Sequence, residues 1–479
     1  MAEQTLNMKP RNLLLLLLLI VILLVLFLLR RCKDPHPAGK ITRTDSAYAS
    51  PPYRKNQLVL IFKHPPTEQE RARIKDSMER YGIETSEIKV TACPNCKDMP
   101  VELWHAPGIE TYVFADPVRG GTTTGAGSQG QGEDSTSYYS PNFIFQGPPD
   151  QDGRPTAGIS KLVSRRFVSN GQPIRVAILD TGLDDALLNT GYTWKNPAEI
   201  PGNQTDDDAN CLKDDVAGWN FVGNNADIRD DHPGRHGSHI ALFIMNEFQR
   251  DSANALQLMI LKTHDEKAQG DLFNSMCAIS YAASHDAKII NASWGYYTGY
   301  KSSPYRPLDS MITRVLADKG ILFITSAGNR MPPADDSARK RGLTEAELRD
   351  LTKHQMYPAC FNNPATNIIV ATTVNDTMVS PTQNFADRYV DIGVKADSME
   401  NGVQLFRVPL VLSNNYITGS SFATAIVTGR IAAVCPLTMY QQHPVKKETF
   451  LAYPGIHAQY NSVIGAKKQV AGGRYITHN

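Results

Sequence analysis

Several signatures that would place this chain at once are missing from it. Its 49 lysines and arginines stand against 48 aspartates and glutamates. There is no broad basic excess to hold nucleic acid and no acidic tail. Cysteine is scarce and scattered, seven residues at positions 32, 93, 96, 211, 277, 360 and 435. An odd, dispersed set argues against a disulfide scaffold. Cys93-Pro94-Asn95-Cys96 has no second pair at ligand spacing, so a zinc site lacks half its donors and two thiols near a turn is the simpler expectation. The helical zinc motif His-Glu-x-x-His is absent, and Asp-Thr-Gly occurs once, at 180–182. A mechanism in which two carboxylates share a proton needs a pair of such motifs.

What is present begins at the N-terminus. Residues 13–29 are an unbroken run of Leu, Ile, Val and Phe, with Lys9 and Arg11 before it and Arg30, Arg31 and Lys33 after. The run is slightly short for a spanning helix, long for a signal-peptide core, and followed by no small-x-small cleavage site. A retained single-pass transmembrane anchor over residues 1–33 is expected. Basic residues are denser on its C-terminal side, which by the positive-inside rule keeps the bulk of the chain cytoplasmic. Because the other flank is basic too, the side facing the larger domain stays open.

Composition then divides the rest. Residues 34–56 read as a juxtamembrane spacer rich in Pro, Ser and charge. Residues 57–117 read as a small α+β module. Leu58-Val59-Leu60-Ile61-Phe62 is its first strand, Thr67 and Glu70 form a capping box opening a helix, and Gly82 closes that helix. Ile88 to Thr91 and Val101 to Trp104 supply further strands. Residues 118–160 turn abruptly to Gly, Thr, Ser, Gln and Pro, the composition of a flexible, cleavable linker. Residues 161–436 form the large domain, and residues 437–479 a tail without a motif.

Within 161–436, short aliphatic runs alternate with helical patterns. Val176-Ala177-Ile178-Leu179, Leu258-Met259-Ile260-Leu261, Lys288-Ile289-Ile290, Ile321-Leu322-Phe323-Ile324 and Ile368-Ile369-Val370 are continuous rather than alternating. Strands buried on both faces have that pattern, so an α/β fold with a mainly parallel sheet is predicted. Ligands of such sheets bind beyond the C-terminal strand ends.

Four motifs sit at those ends or at helix starts. Asp180 ends the first run, and His236 heads an apolar helical stretch in His236-Gly237-Ser238-His239. Asn329 follows a strand in Ala327-Gly328-Asn329, and Ser421 opens a small-residue helix in Gly419-Ser420-Ser421. Taken singly, each has a bland alternative, namely a turn aspartate, a packed histidine, a turn asparagine and an N-cap serine. Together they offer an acid, a base, an amide donor and a hydroxyl nucleophile, the parts that acyl transfer needs. Asn291-Ala292-Ser293-Trp294-Gly295 ends another strand, where it can line a cleft. Asp206, Asp208, Asn210, Asp214 and Asp215 have calcium-loop spacing, but Cys211 stands where such a loop needs Gly. A solvated acidic loop is expected there, with a structural calcium as the alternative and no other metal or cofactor.

In order and local sequence these segments resemble the subtilisin-like serine proteases, or subtilases. Ile178-Leu179-Asp180-Thr181-Gly182, His236-Gly237-Ser238-His239, Ser326-Ala327-Gly328-Asn329 and Gly419-Ser420-Ser421-Phe422-Ala423 are similar to that family's aspartate, histidine, oxyanion-asparagine and serine motifs. Gly218-Trp219-Asn220-Phe221-Val222-Gly223-Asn224-Asn225 looks like the family as well. The resemblance implies Ser421 as nucleophile, His236 as general base and acid, Asp180 as its orienting partner and Asn329 as oxyanion donor. It implies Ser293, Trp294, Gly295, Ala327 and Gly328 as substrate-binding residues, and a protein or peptide substrate. The module at 57–117 is similar in pattern to subtilase propeptides, which implies an intramolecular inhibitor released at the linker. Departures are Ser238 and Ser420 for the usual Thr, Ala425 for the usual Pro, and an insertion-like segment at 331–355 holding a second capping box, Thr344 with Glu347. The substituted neighbours motivate an alternative, a catalytically inactive or tightly regulated recognition module at the membrane.

Overall fold

Successive residues of a strand face opposite sides, so a strand that is apolar throughout needs cover on both. Two sheets in this protein are built on that requirement. The computed structural model describes residues 41–42, 52–62, 64–93, 101–112, 137–146, 159, 171–188, 190–248, 252–297, 306–364, 366–412 and 414–478. The apolar run at 13–29, Cys96 and the Gly-rich tract before residue 137 lie outside them. No helix of the described residues is long and apolar enough to cross a membrane.

The smaller, six-stranded sheet contains β1 (Tyr53–Phe62), β2 (Lys89–Ala92), β3 (Val101–His105) and β4 (Ser137–Gln146) in the order β2-β3-β1-β4, with Gln269–Asp271 added beyond β4 and Ile41–Thr42 pairing the start of β1. Helix α1 (Glu68–Glu79) opens on the expected capping box. Thr67 Oγ1 accepts from the Glu70 N–H at 3.2 Å, and the Glu70 carboxylate accepts from the Thr67 N–H at 2.7 Å. Leu58, Leu60 and Phe62 face one core with Met78 of α1 and Trp104. Val59 and Ile61 face the opposite side, into the core of the larger domain.

The larger sheet contains β5 (Gln172–Asp180), β6 (Gly218–Asn220) and β7 (Asn254–Lys262). After β8 (Gln269–Asp271), which stands outside it, come β9 (Ile289–Ala292), β11 (Leu322–Ser326), β13 (Ile368–Val374) and β14 (Ile392–Lys395). Two short strands, β10 (Tyr296–Tyr297) and β12 (Met356–Tyr357), pair with each other apart from it. With β15 (Gln459–Tyr460) and β16 (Arg474–Ile476), the order is β15-β16-β14-β13-β11-β9-β5-β7-β6. All pairings in it are parallel except β15 with β16. On β5, Ala177 and Leu179 enter one core while Ile174, Val176 and Ile178 enter the other. Helices α2 (His236–Asn246) and α5 (Ser420–Val434) cover the second face, and α3 (Leu272–Ser284) covers the first.

Four expectations need correction. Strand β4 comes from within the stretch read as linker and pairs with both β1 and β8. Pro141 has no N–H to donate to a ladder, and the register with β1 shifts beside it, between Arg54 and Leu58. The C-terminal stretch read as a tail supplies β15 and β16. Both are only two or three residues long, and β16 joins the sheet through β14, far away in sequence, so no local periodicity marks them. Thirdly, the insertion's helix is α4 (Pro332–Lys340), ahead of the Thr344–Glu347 box, which closes a turn instead.

The fourth concerns cysteine. Cys93, at the end of β2, is disulfide-bonded to Cys277 of α3, with Cα atoms 5.5 Å apart and a sequence separation of 184. The same contact is reinforced by Arg54 Nε donating to Asp271 at 2.8 Å and by the Phe273 N–H donating to Asn142 at 3.0 Å. Cys277→Ser is expected to lower stability by about 2–4 kcal/mol through lost chain restraint. Denaturant midpoints of the two proteins check this, with an unchanged midpoint as the contrary result.

Candidate active site

Asp180 is the last residue of β5, opposite Lys262 at the end of β7. The residue is 3% exposed. A buried carboxylate requires partners, and Asp180 has two. Its Oδ1 accepts from the Thr181 N–H at 2.8 Å and lies 2.7 Å from Nδ1 of His236. His236 is the first residue of α2, and close backbone approach holds it there. The Gly237 N–H donates to Thr181 Oγ1 at 3.0 Å, and a Cβ at Gly237 would collide with the Gly182 carbonyl. Ser238 keeps its hydroxyl in use, donating to Asp230 at 2.6 Å and accepting from the Asp184 N–H at 2.9 Å. The loss of the usual threonine methyl therefore leaves the motif's hydrogen bonds intact.

Burial pushes the Asp180 carboxyl up, but the charge and hydrogen bond of His236 outweigh it and hold the group below the ordinary carboxylate range. For His236 burial works downward, and Asp180, with a smaller contribution from Asp230, carries the imidazole above its ordinary value. Its Nε2 is buried without a hydrogen-bond partner. Helix α5 abuts this face, with the Phe422 ring 5.6 Å from the imidazole. Ser421, next to Phe422, directs its hydroxyl to the Ser293 carbonyl at 3.2 Å, and Ser293 Oγ donates back to the Ser421 carbonyl at 3.2 Å. His239 turns away, with Nδ1 3.2 Å from the Gly234 carbonyl, and burial takes it down to about 4.

Asn329 follows β11. Its Oδ1 accepts from the Ser420 N–H at 3.0 Å and from Ser420 Oγ at 3.1 Å, and that hydroxyl accepts from the Gly328 N–H at 3.1 Å. Here too serine in place of threonine preserves the hydroxyl that the motif uses. With Oδ1 engaged, the amide's other end, two N–H donors, is the free arm. Asp180, His236, Ser293, Asn329, Ser420 and Ser421 are thus linked by contacts at the C-terminal ends of β5, β9 and β11.

The stretches Ser293–Gly295 and Ala327–Gly328 flank a slot that holds a residue missed in the sequence. Met356 of β12 extends between Gly295 and Gly328, and a Cβ on either glycine would collide with its side chain. Trp294 is buried and stacks on Phe145 of β4 at 4.8 Å, and Phe145 also stacks on Tyr296 at 4.7 Å. Two further buried groups were missed. His264 has an unpartnered Nε2 and is driven by burial to about 4, and Tyr297 donates to the Asn329 carbonyl at 2.8 Å. No motif marks these residues, because their significance comes from long-range neighbours.

The acidic loop is only partly a solvated face. Glu199, Asn210 and Asp215 are buried, and Asp215 accepts from Tyr281 Oη at 2.6 Å and Asn210 Nδ2 at 2.9 Å. Burial pushes the Asp215 carboxyl up. Two groups, Glu199–Asp206–Asp208 and Asp208–Asp215–His285, each bring ligand atoms within 4.8 Å of one another. The oxygen-rich group suits a hard cation such as calcium.

A family model described as the subtilase family, peptidase S8, matches residues 171–445. Subtilisin-like protease 1 of Plasmodium berghei (strain Anka) is 25% identical over 284 residues, 56% of this chain and 44% of that protein. Subtilisin-like protease 1 of Plasmodium falciparum (isolate 3D7) is 28% identical over 206 residues, 41% of this chain and 27% of that protein. The chain therefore spans less than half the length of these curated relatives. Among solved structures, the epidermin leader peptide processing serine protease from Staphylococcus aureus is 14% identical, with a TM-score of 0.48, over 88% of this chain and 96% of that one.

The pairing of Asp180 with His236 generates a direct expectation. In an NMR titration the His236 imidazole should protonate with a midpoint above the ordinary value of about 6.5. In Asp180→Asn the raising partner is gone while burial remains, so the midpoint should fall. An unmoved midpoint would contradict the assigned cause.

Proposed function

The chain belongs to the subtilase family, and from that premise we propose that it is a serine endopeptidase acting through an Asp180–His236–Ser421 triad. The observation that carries this is the 2.7 Å Asp180–His236 bond with the opposite ring nitrogen unpartnered beside the start of α5. Ser421 Oγ turns from the Ser293 carbonyl to His236 Nε2, which takes its proton as the oxygen attacks the scissile carbonyl. The oxyanion that forms meets the Asn329 amide and the N–H groups at the N-terminus of α5. His236 then passes the proton to the leaving amine, and water, activated by the same imidazole, hydrolyses the acyl-enzyme. Asp180 stays ionised throughout and stabilises the imidazolium.

The N-terminal module acts as an intramolecular inhibitor in this proposal. Strand β4 lies antiparallel on β8, with Phe145 opposite Gly270, and its Phe145 ring fills the space over Trp294. An extended peptide substrate would add to β8 in the same manner, so module and substrate compete. Residues 13–29 hold the enzyme to a membrane, in keeping with their unbroken apolarity and basic flanks. Met356 fills the slot that would receive the side chain preceding the scissile bond, which favours a small residue there.

Two measurements test the proposal. A fluorophosphonate probe should label the wild-type protein after removal of the module, and should not label Ser421→Ala. Absence of labelling in both would favour an inactive recognition role. Met356→Gly should raise kcat/KM for peptides with a large residue before the scissile bond by at least about 10–200-fold relative to alanine there, the range for one methylene gained or lost in an apolar pocket. An unchanged preference would remove Met356 from specificity.

A further inference from the structure

Asn329 is held at both of its oxygens, and one of these holds comes from outside the four motifs. Ser420 fixes the side-chain oxygen, as described above. The main-chain oxygen accepts from the hydroxyl of Tyr297, in β10, at 2.8 Å.

That hydroxyl has a defined direction. Asn384 Nδ2 lies 2.7 Å from it and Arg349 Nη1 3.5 Å, and both are donors. The Asn384 amide is oriented by the Ala327 carbonyl, 2.8 Å from the same Nδ2, because a carbonyl can only accept. Tyr297 therefore accepts from two sides and sends its single proton to Asn329. Arg349 is itself ion-paired with buried Asp335, and the ring of His354 stacks on that of Tyr297 at 4.3 Å. Leaving one member of a buried ion pair alone is costly, so the pair resists rearrangement.

Asp335, Arg349 and His354 all belong to the insertion-like segment at 331–355. We infer that this segment is a brace for the oxyanion donor: its Asp335–Arg349 pair and His354 immobilise Tyr297, whose hydroxyl pins the main chain of Asn329 and so fixes where the free amide points. The need for a brace follows from the place of Asn329. It sits on a loop after Gly328, whose φ is +97°, while a useful oxyanion donor must be held to about 0.5 Å. Tyr297 is on this account a positioning residue that acts through Asn329. The inference rests on the serine endopeptidase reading and adds to it a role for residues outside the four motifs.

The test is Tyr297→Phe, which removes one oxygen and keeps the ring under His354. With kinetics normalised to active sites titrated by a fluorophosphonate, kcat should fall about tenfold while KM stays within about twofold, the pattern for an interaction made in the transition state. Affinity for a peptide aldehyde should fall by the same factor as kcat/KM. In an Asn329→Ala background Tyr297→Phe should have no further effect, because the group it positions is gone. Arg349→Met should reproduce the loss and Arg349→Lys should recover part of it. A merely structural Tyr297 would lower the titratable fraction or the melting temperature and leave kcat per site unchanged, and that outcome overturns the inference. So does an equal loss from Tyr297→Phe with and without Asn329. If the wild type is never labelled, the endopeptidase reading falls and the brace with it, whereas a labelled wild type with an unaffected Tyr297→Phe removes the brace alone.

Discussion

A carboxylate taken out of water has to be paired or protonated, and Asp180 is such a group at the end of a strand buried on both faces. Much of the local architecture answers to it. The Thr181 N–H and the His236 imidazole saturate one oxygen, and Gly237 allows the helix carrying His236 to approach closely enough. Asp180 and His236 support each other against desolvation, each moving its partner toward the charged form. The charge that orients the imidazole in the resting protein is therefore already present when an imidazolium forms, with no reorganisation at that moment.

The large sheet and the four motifs were legible in the sequence because both are local signals. A run such as Val176-Ala177-Ile178-Leu179 is continuous because its alternate residues enter different cores. His236 and Ser421 could be assigned to helix starts because the residues after them are apolar or small. What escaped depends on partners far along the chain. Strand β4 is defined by ladders to β1 and β8, and its Pro141 and polar surroundings pointed the other way. The bond between Cys93 and Cys277 spans 184 residues, and no spacing rule reaches that far.

Within the site the same division holds. The motif residues stood out in the sequence, whereas Tyr297 and Met356 did not, since an aromatic or a methionine after a strand usually signals packing. Tyr297 meets the Asn329 carbonyl and Met356 lies between Gly295 and Gly328, contacts that no local pattern encodes. Ser238 and Ser420 illustrate the reverse case. The sequence marked both as departures, yet each uses its hydroxyl, Ser238 with Asp184 and Asp230 and Ser420 with Gly328 and Asn329.

The disulfide between β2 and α3 has a consequence for how the small module can leave. A module held only by sheet pairing and ring stacking would dissociate on dilution once the chain between it and the larger domain had been cut. A covalent tie makes the encounter unimolecular, with an effective concentration fixed by geometry rather than by the amount of protein in solution. Severing the backbone between residues 147 and 158 would then alter connectivity without altering occupancy, and the two pieces would part only when a thiol or dithiol reductant opened Cys93–Cys277.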